Sequence, residues 1–154
     1  MVFDNWKIEP VDITQIKGEL LCGLDFGFVA DSTALICSLL DEENRKIYVF
    51  NEVFQKGLLN NQIANIIIGL GLSKSAIIAD SSEMKSIEEI KQLGVRRIRP
   101  AVKGAGSILQ GIQKLKQYQI VIDPSCGNLI EEFNNYSWKK DKNTNEYINE
   151  PEDK

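Results

Sequence analysis

Three stretches near the start of the chain are rich in apolar residues and are separated by polar turns. They cover residues 20–27, 33–40 and 46–54, and the last two are rich in β-branched and aromatic residues on either side of a polar DEENR segment. This pattern predicts three strands that form an antiparallel meander. The preceding residues 1–18 are irregular and contain proline and glycine, which favours a linker or the remnant of a preceding segment.

Helical and strand-like patterns alternate through the rest of the chain. Isoleucines at helical spacing predict a helix over 60–72, and AIIAD at 76–80 is the next strand. Ser86 and Glu89 have the spacing of a capping box, which predicts a helix that is capped by Ser86 and closed by Gly94. The further predicted elements are a strand in VRRIRP halted by Pro100, a helix capped by Ser107, a strand in QIVID stopped by Pro124, a helix through Leu129, Ile130 and Phe133, and a polar hairpin around KKDKNTNEY.

The order of these elements predicts one α/β domain. Three antiparallel leading strands, followed by parallel strands that alternate with helices, make a mixed sheet with helices on both faces. This order matches the ribonuclease H-like architecture. A length of 154 residues fits a single domain, which we assign to residues 19–154.

The composition excludes several kinds of chemistry. The chain has no histidine, so it cannot assemble a Ser-His-Asp or Cys-His nucleophile or a zinc site with histidine ligands. Cys22, Cys37 and Cys126 lie in apolar surroundings and form no CxxC pair, so we expect buried thiols of a cytosolic protein. No apolar run approaches the length that spans a bilayer, and no membrane partner is expected. Chemistry must therefore come from carboxylates, lysines, hydroxyls or a bound cation.

Basic residues are concentrated in one part of an otherwise acidic chain. The net charge is −4, yet residues 91–122 contain seven Lys and Arg residues and no Asp or Glu. Such a patch on an acidic body is typical of a surface that binds a polyanion, although helices also carry solvated lysines. Both interpretations stay open from the charge pattern alone.

Two of the predicted strands end on an aspartate. Asp25 of LLCGLDFG shares its face with Gly23 and Gly27, which leave open space beside the carboxylate. Asp80 ends AIIAD, at the carboxyl edge where ligands of α/β sheets bind. If the two strands are neighbours, the carboxylates meet at this edge, where their repulsion raises their pKa values unless a cation lies between them. The alternative is that both aspartates only cap the turns that follow.

Carboxylate oxygens suit Mg²⁺ or Mn²⁺, and two such ions can bind the attacking and leaving oxygens of a phosphodiester. A DxG sequence after an apolar strand also opens the phosphate loop of actin-like ATPases. Here the following FVADST has bulky side chains where the phosphate loop of such an ATPase needs accessible backbone amides. The chain also contains no GxxxxGK[ST] motif, so it has no P-loop.

Four separated segments occur in a familiar order: GLDFGFVADSTAL, IIADSSEMKSIEEIKQLGV, AVKGAGSILQGIQKLK and NLIEEFNNYSWKKD. Together they resemble the nuclease domain of the large terminase subunit of tailed bacteriophages. The resemblance implies a ribonuclease H-like endonuclease that cuts double-stranded viral DNA during packaging and uses two Mg²⁺ or Mn²⁺ ions. It also implies a packaging ATPase domain of the same subunit, the portal and the small terminase subunit as partners, and the cytoplasm of the bacterial host as location.

The resemblance implies that Asp25 and Asp80 are the catalytic metal ligands and that Asp25 contacts both ions. It also implies that Asp31 and Glu83 support these two ligands. The family has a third aspartate after the polar hairpin. This chain ends at Lys154, before the matching stretch, so we expect a domain that lacks its last helix and is weakly active. The DNA-binding residues that the resemblance implies are Lys85, Arg96, Arg97, Arg99, Lys103, Gly104 and Ser107.

Three alternatives to this nuclease stay open. The first is another ribonuclease H-like nuclease, such as a Holliday-junction resolvase. The second is an actin-like ATPase. The third is a non-catalytic module that docks on the portal or on the ATPase of a packaging machine.

Overall fold

A computed structural model describes residues 5–27, 32–101 and 117–142 of the chain. In these ranges seven strands form one sheet in the order β1-β7-β4-β3-β2-β5-β6, and the predicted mixed α/β sheet is thereby confirmed. The elements, in chain order, are β1 (Trp6–Ile8), β2 (Glu19–Asp25), β3 (Ser32–Asp41), β4 (Lys46–Lys56), α1 (Asn60–Gly69), β5 (Ile77–Ala79), α2 (Met84–Gln92), β6 (Ile98–Pro100), β7 (Gln119–Ile122) and α3 (Gly127–Lys142).

Both parallel and antiparallel pairs occur in this sheet. β2 pairs in parallel with β5 and β5 with β6, while β4 and β1 both pair in parallel with β7. β3 lies between β2 and β4, and the connections 26–31 and 42–45 are too short for the crossover that parallel neighbours require. The three leading strands therefore form the predicted antiparallel meander.

The described chain divides into two compact units. The second unit contains β2, β5, β6, α1 and α2, together with both aspartates that the sequence singles out. The first unit comprises residues 5–19, 38–52 and 117–142, and the second comprises residues 20–27, 32–37 and 53–101.

The core of the second unit lies between one face of its strands and the helices α1 and α2. Leu24 of β2 and Ile67 of α1 line the same narrow cavity, so this helix packs against the strands. Helix α2 lies beside α1, where Asn60 Nδ2 donates hydrogen bonds to Ser86 Oγ and Glu89 Oε1 at 3.2 and 2.8 Å. The buried side chains of this unit include Cys22, Leu24, Leu35, Cys37, Ile63, Ile67, Ile77, Ala79, Ile87, Ile90, Val95 and Ile98.

The helix over 84–92 does not begin where the sequence predicts. Its N-cap is Glu83, so the prediction that Ser86 caps this helix is wrong. Ser86 and Glu89 lie inside the helix, where both side chains bind Asn60 of α1 instead of the helix's own amides. The predicted end is confirmed, because Gly94 follows the helix with φ +119, a conformation that side chains disfavour.

The N-terminal residues are more ordered than the pattern predicts. The expectation of irregular structure over 1–18 is wrong for Trp6–Ile8, which pairs in parallel with Ile120–Ile122 of β7. The Trp6 ring also contacts Phe133 of α3 edge-on, with ring centroids 5.4 Å apart. Three residues are too few to show a periodic pattern, and their partner strand lies far along the chain. That this segment is the remnant of a linker stays a prediction.

Helix α3 is longer than the sequence predicts. It continues to Lys142, so the predicted hairpin is wrong for residues 139–142; residues 143–147 of that hairpin and the helix predicted after Ser107 lie outside the described residues. No glycine or proline follows Gly127 in this helix to stop it. At its first turn the Glu52 carboxylate accepts hydrogen bonds from the N–H groups of Asn128 and Leu129, both at 2.9 Å.

The three cysteines are buried thiols, as predicted. Cys22 and Cys37 are each 1% exposed, and Cys126 is fully buried. Burial raises the pKa of the Cys126 thiol to about 11. In the ranges that the structure covers, no helix is long and apolar enough to cross a membrane.

Adjacent isoleucines of α1 test how this helix packs. Ile67 is 0% exposed and Ile68 is 40% exposed. We predict that Ile67→Ala lowers the free energy of unfolding by about 2–4 kcal/mol, because it leaves a cavity in the core. Ile68→Ala removes the same atoms from the surface and should cost less than about 1 kcal/mol. Urea denaturation followed by circular dichroism measures both values, and equal losses would contradict this orientation of α1.

Candidate metal centre

The parallel pairing of β2 with β5 places Asp25 beside Asp80. Leu24 lies opposite Ala79 in the register, and the two aspartates are the next residues along each strand. The Asp80 N–H donates to the Leu24 carbonyl at 3.0 Å, so the pairing continues to the ends of both strands. Neighbouring strands lie about 4.8 Å apart, and register partners in parallel strands face the same side of the sheet. The two carboxylates therefore start from one side of one edge of the sheet.

The aspartates lie on the face opposite the core of their unit. Leu24 and Ala79 are 3% and 1% exposed and face the core, so the next residue of each strand alternates to the other side. Open space adjoins Asp25 there. Within the described residues, a Cβ added at Gly23 would approach only the Ile78 carbonyl, at 4.0 Å, and one added at Gly27 would meet no atom within 4 Å.

Each of the two carboxylates accepts the same kind of local hydrogen bond. The Gly27 N–H donates to Asp25 Oδ1 at 3.0 Å, and the Ser82 N–H donates to Asp80 Oδ1 at 3.1 Å. These are Asx turns, in which a side chain accepts from the amide two residues later. A carboxylate offers about four acceptor positions, so each retains capacity for a further ligand. Turn capping and metal binding are therefore compatible at these positions.

The Asp25 carboxylate is in an environment that disfavours its charge. Burial raises its pKa above the ordinary value; the hydrogen bond from Gly27 opposes this rise, and the negative charge of Asp80 adds to it. The pKa of Asp25 is thus raised mainly by burial, and the repulsion from Asp80 that the sequence predicts is a smaller cause. A cation bound at the pair would relieve both effects, because it favours the ionised form.

The donor set fits a hard divalent cation but is incomplete. Mg²⁺ and Mn²⁺ bind oxygen ligands, and protein carboxylates commonly supply one or two of them. In the described part of the chain, no group of three His, Cys, Asp or Glu side chains is placed to hold a metal ion. Asp25 and Asp80 therefore offer two carboxylates, and further ligands must come from water, substrate or other residues.

The remaining predicted site residues fall into two groups. Glu83 belongs to the turn that joins β5 to α2; its N–H donates to the Asp80 carbonyl at 3.3 Å, and its carbonyl accepts from Ile87 at 3.0 Å. Its side chain is exposed, as is that of Lys85 in the first turn of α2. The residues that lie outside the described ranges are Asp31, Lys103, Gly104 and Ser107.

The predicted arginines gather at one place. Arg96, Arg97 and Arg99 line an open depression of about 230 Å³ together with Lys91 and Ile98. We call the four basic residues of this depression the basic cleft. Lys91 is absent from the site residues predicted above, although it begins the basic run at 91–122 that the charge pattern reveals.

Comparison with known proteins identifies similar sequences. The family model of the terminase ribonuclease H-like domain matches residues 25–154. The chain is 33% identical over 148 residues to the terminase large subunit of Bacillus phage SPP1, covering 92% of the chain and 35% of that protein. It is 33% identical over 122 residues to the PBSX phage terminase large subunit of Bacillus subtilis strain 168, covering 79% of the chain and 28% of that protein. The chain thus spans about a third of the length of these relatives.

Solved structures show the same fold. The large-terminase nuclease domain of bacteriophage SPP1, solved with bound Mn, superposes with a TM-score of 0.78 at 32% identity, over 86% of this chain and 79% of that domain. The nuclease domain of the P22 large terminase has a TM-score of 0.64 at 13% identity, over 83% of this chain and 72% of that one. The second likeness supports the fold alone, and the predicted ribonuclease H-like fold is confirmed.

The raised pKa of Asp25 predicts how this residue affects stability in the absence of metal. We expect Asp25→Asn to raise the melting temperature by a few degrees at neutral pH in EDTA, because the folded protein there carries an unfavourably placed charge. The gain should shrink as the pH falls and vanish below the ordinary carboxyl value of 3.8, where the group is protonated in both the folded and the unfolded chain.

Asp41 supplies the matched control, because its pKa shifts the other way. Hydrogen bonds from the Asn44 side chain and backbone lower the pKa of this carboxyl, so Asp41→Asn should give no gain at neutral pH. Thermal melts from acid to neutral pH measure both variants. A neutral-pH loss of stability in Asp25→Asn would contradict the environment described for this carboxylate.

Proposed function

The chain belongs to the terminase ribonuclease H-like domain family, and on that premise we propose that it hydrolyses phosphodiester bonds of double-stranded DNA with two divalent metal ions. The observation that carries this proposal is the convergence of Asp25 and Asp80 at one end of the paired strands β2 and β5. The SPP1 nuclease domain, which is 32% identical to this chain, was solved with bound Mn, and this supports a divalent metal here.

Asp25 and Asp80 would hold the metal ions, Asp25 between the two. Bound Mg²⁺ or Mn²⁺ supplies Lewis-acid activation of water and stabilisation of the leaving oxygen. Asp31 and Glu83 would support the site, Glu83 through the turn that fixes the Asp80 backbone. A third carboxylate would complete the ligand set, because the described residues provide two.

The chain's own groups prepare the site before any metal arrives. The amides of Gly27 and Ser82 each hold one oxygen of an aspartate, so the carboxylates lose less side-chain freedom when they bind a ligand. The glycine beside Asp25, Gly23, leaves space for a phosphodiester to approach. Since the chain has no histidine, no imidazole base is available, and the mechanism requires none.

DNA recognition is proposed to rely on the phosphate backbone. The basic residues implied by the resemblance, from Lys85 through the arginines to Lys103, Gly104 and Ser107, would contact phosphates and make binding depend strongly on salt. The chain matches 35% and 28% of its relatives' lengths, which leaves room in proteins of that size for a packaging ATPase domain. The portal and the small terminase subunit are the further proposed partners, and the host cytoplasm is the proposed location.

Metal-dependent stability and cleavage test the proposal together. We predict that Mn²⁺ raises the melting temperature of the chain and supports slow cleavage of plasmid DNA, with Mg²⁺ less effective. Asp25→Asn and Asp80→Asn should each abolish the Mn²⁺-dependent rise and lower cleavage by more than about 100-fold, since even partners of metal ligands contribute about 10–100-fold. Asp12→Asn, which changes an exposed carboxylate in the first unit, should leave both quantities unchanged.

Other outcomes would identify one of the alternatives. Brisk cleavage that survives Asp25→Asn would rule out the ligand assignment. A preference for four-way junctions over linear duplex would indicate a junction resolvase, and stabilisation by nucleotide would indicate an actin-like ATPase. Binding to packaging partners that persists without any response to metal or to either aspartate would indicate a docking module.

A further inference from the structure

Four cations share the basic cleft, and the described lining contains no acidic side chain. Lys91, Arg96, Arg97 and Arg99 surround a depression of about 230 Å³, and Ile98 is the remaining described residue of its lining. All four basic side chains are exposed to solvent, whereas Ile98 is 2% exposed and anchors the strand in the core. Like charges held this close repel one another, so a bound anion would stabilise the arrangement.

The backbone fixes the arginines before any ligand binds. The Arg96 N–H donates to the Ser73 carbonyl at 3.2 Å, and the Arg97 carbonyl accepts from Ile77 at 3.2 Å. The Arg97 guanidinium donates to the Lys74 carbonyl at 3.3 Å. This bond uses one of five guanidinium donors, and the others remain for a ligand. Arginine is the cation whose donor geometry matches phosphate oxygens best.

The strand register relates one residue of the basic cleft, Arg99, to the carboxylate pair. Arg99 of β6 lies opposite Ile78 of β5, and Ile78 lies opposite Gly23 of β2. This row is two residues behind the row of Asp25 and Asp80, so Arg99 starts from the same face of the sheet. A separation of about 4.8 Å between strands and a rise of about 3.3 Å per residue put the Cα atoms of Arg99 and Asp80 about 8 Å apart. Arg97 lies two residues further from that edge, about 14 Å from Asp80 by the same spacing, so the cleft extends away from the carboxylates along β6.

We propose that the basic cleft is a metal-independent binding site for a backbone phosphate of DNA, about 8–14 Å along the sheet from the carboxylate pair. The assignment rests on the proposed function for the identity of the polyanion, and on the register for the place of Arg99 relative to Asp80. Lys91, which the resemblance does not implicate, belongs to this site. The cleft holds the strand and leaves the chemical step to the aspartates, so it acts on substrate affinity and on KM.

Binding in the absence of metal tests the proposal. The Arg96→Gln/Arg97→Gln double variant and the Lys91→Gln single variant would each be titrated onto a fluorescent DNA duplex in EDTA over a range of salt concentrations. Each lost phosphate contact lowers the slope of log K against log salt by about 0.9. We expect the double variant to lose about two units of slope and roughly tenfold in affinity at low salt, and Lys91→Gln to lose about one unit.

The matched control is Lys17→Gln/Lys56→Gln, which removes the same charge from exposed positions outside the basic cleft. It should keep nearly the wild-type slope, and melting curves confirm that each variant is folded. Equal slopes and affinities for wild type and cleft variants would overturn the proposal. The proposal would also be overturned if the wild-type protein bound inorganic phosphate at the basic cleft but the cleft variants kept wild-type affinity for duplex DNA.

The same assay separates this proposal from the proposed nuclease. Asp25→Asn should bind duplex in EDTA at least as well as wild type, while the cleft variants should raise KM for plasmid cleavage in Mn²⁺ and change kcat less than about twofold. If no metal-dependent cleavage occurs but the cleft variants still lose duplex affinity, the basic cleft stands and the nuclease proposal fails. If kcat falls and duplex affinity does not, the basic cleft is not a phosphate site.

Discussion

The parallel pairing of β2 with β5 is the constraint on which the rest of the structure depends. Its register buries Leu24 and Ala79 against the helices, and the alternation of a strand then sends Asp25 and Asp80 to the opposite face. A slip of one residue would turn a carboxylate into the core, where an unpaired charge is costly. Packing therefore specifies the site, because the apolar residues that stabilise the sheet also fix where its charges emerge.

The features predicted from the sequence are those that local alternation encodes. Asp25 lies on the face of Gly23 because a strand has period two, and no tertiary information is needed for that. The prediction that Ser86 caps α2 is wrong because it depends on a contact between two helices, which local spacing does not encode. Ser86 and Glu89 have the same spacing at a helix start and within a helix, and only the contact with Asn60, from another helix, decides between the two. Trp6–Ile8 was missed because its partner strand lies more than a hundred residues away.

Opposite charges occupy two separate places in the second unit. The carboxylate pair suits cations, and the basic cleft suits anions, so together they complement a phosphodiester accompanied by divalent metal ions. The sequence reveals the basic run at 91–122. It does not show which of these basic residues lie together in the folded protein and which lie apart. Lys91 reaches the cleft because α2 ends beside β6, and that arrangement depends on how Ile90 and Ile98 are buried.

The most direct test is anomalous diffraction from crystals of the chain soaked in Mn²⁺. The account predicts a peak at the ends of β2 and β5, about 2.1 Å from carboxylate oxygens of both Asp25 and Asp80. A well-ordered crystal with no peak at this position, or with the two carboxylates directed to opposite faces of the sheet, would contradict it.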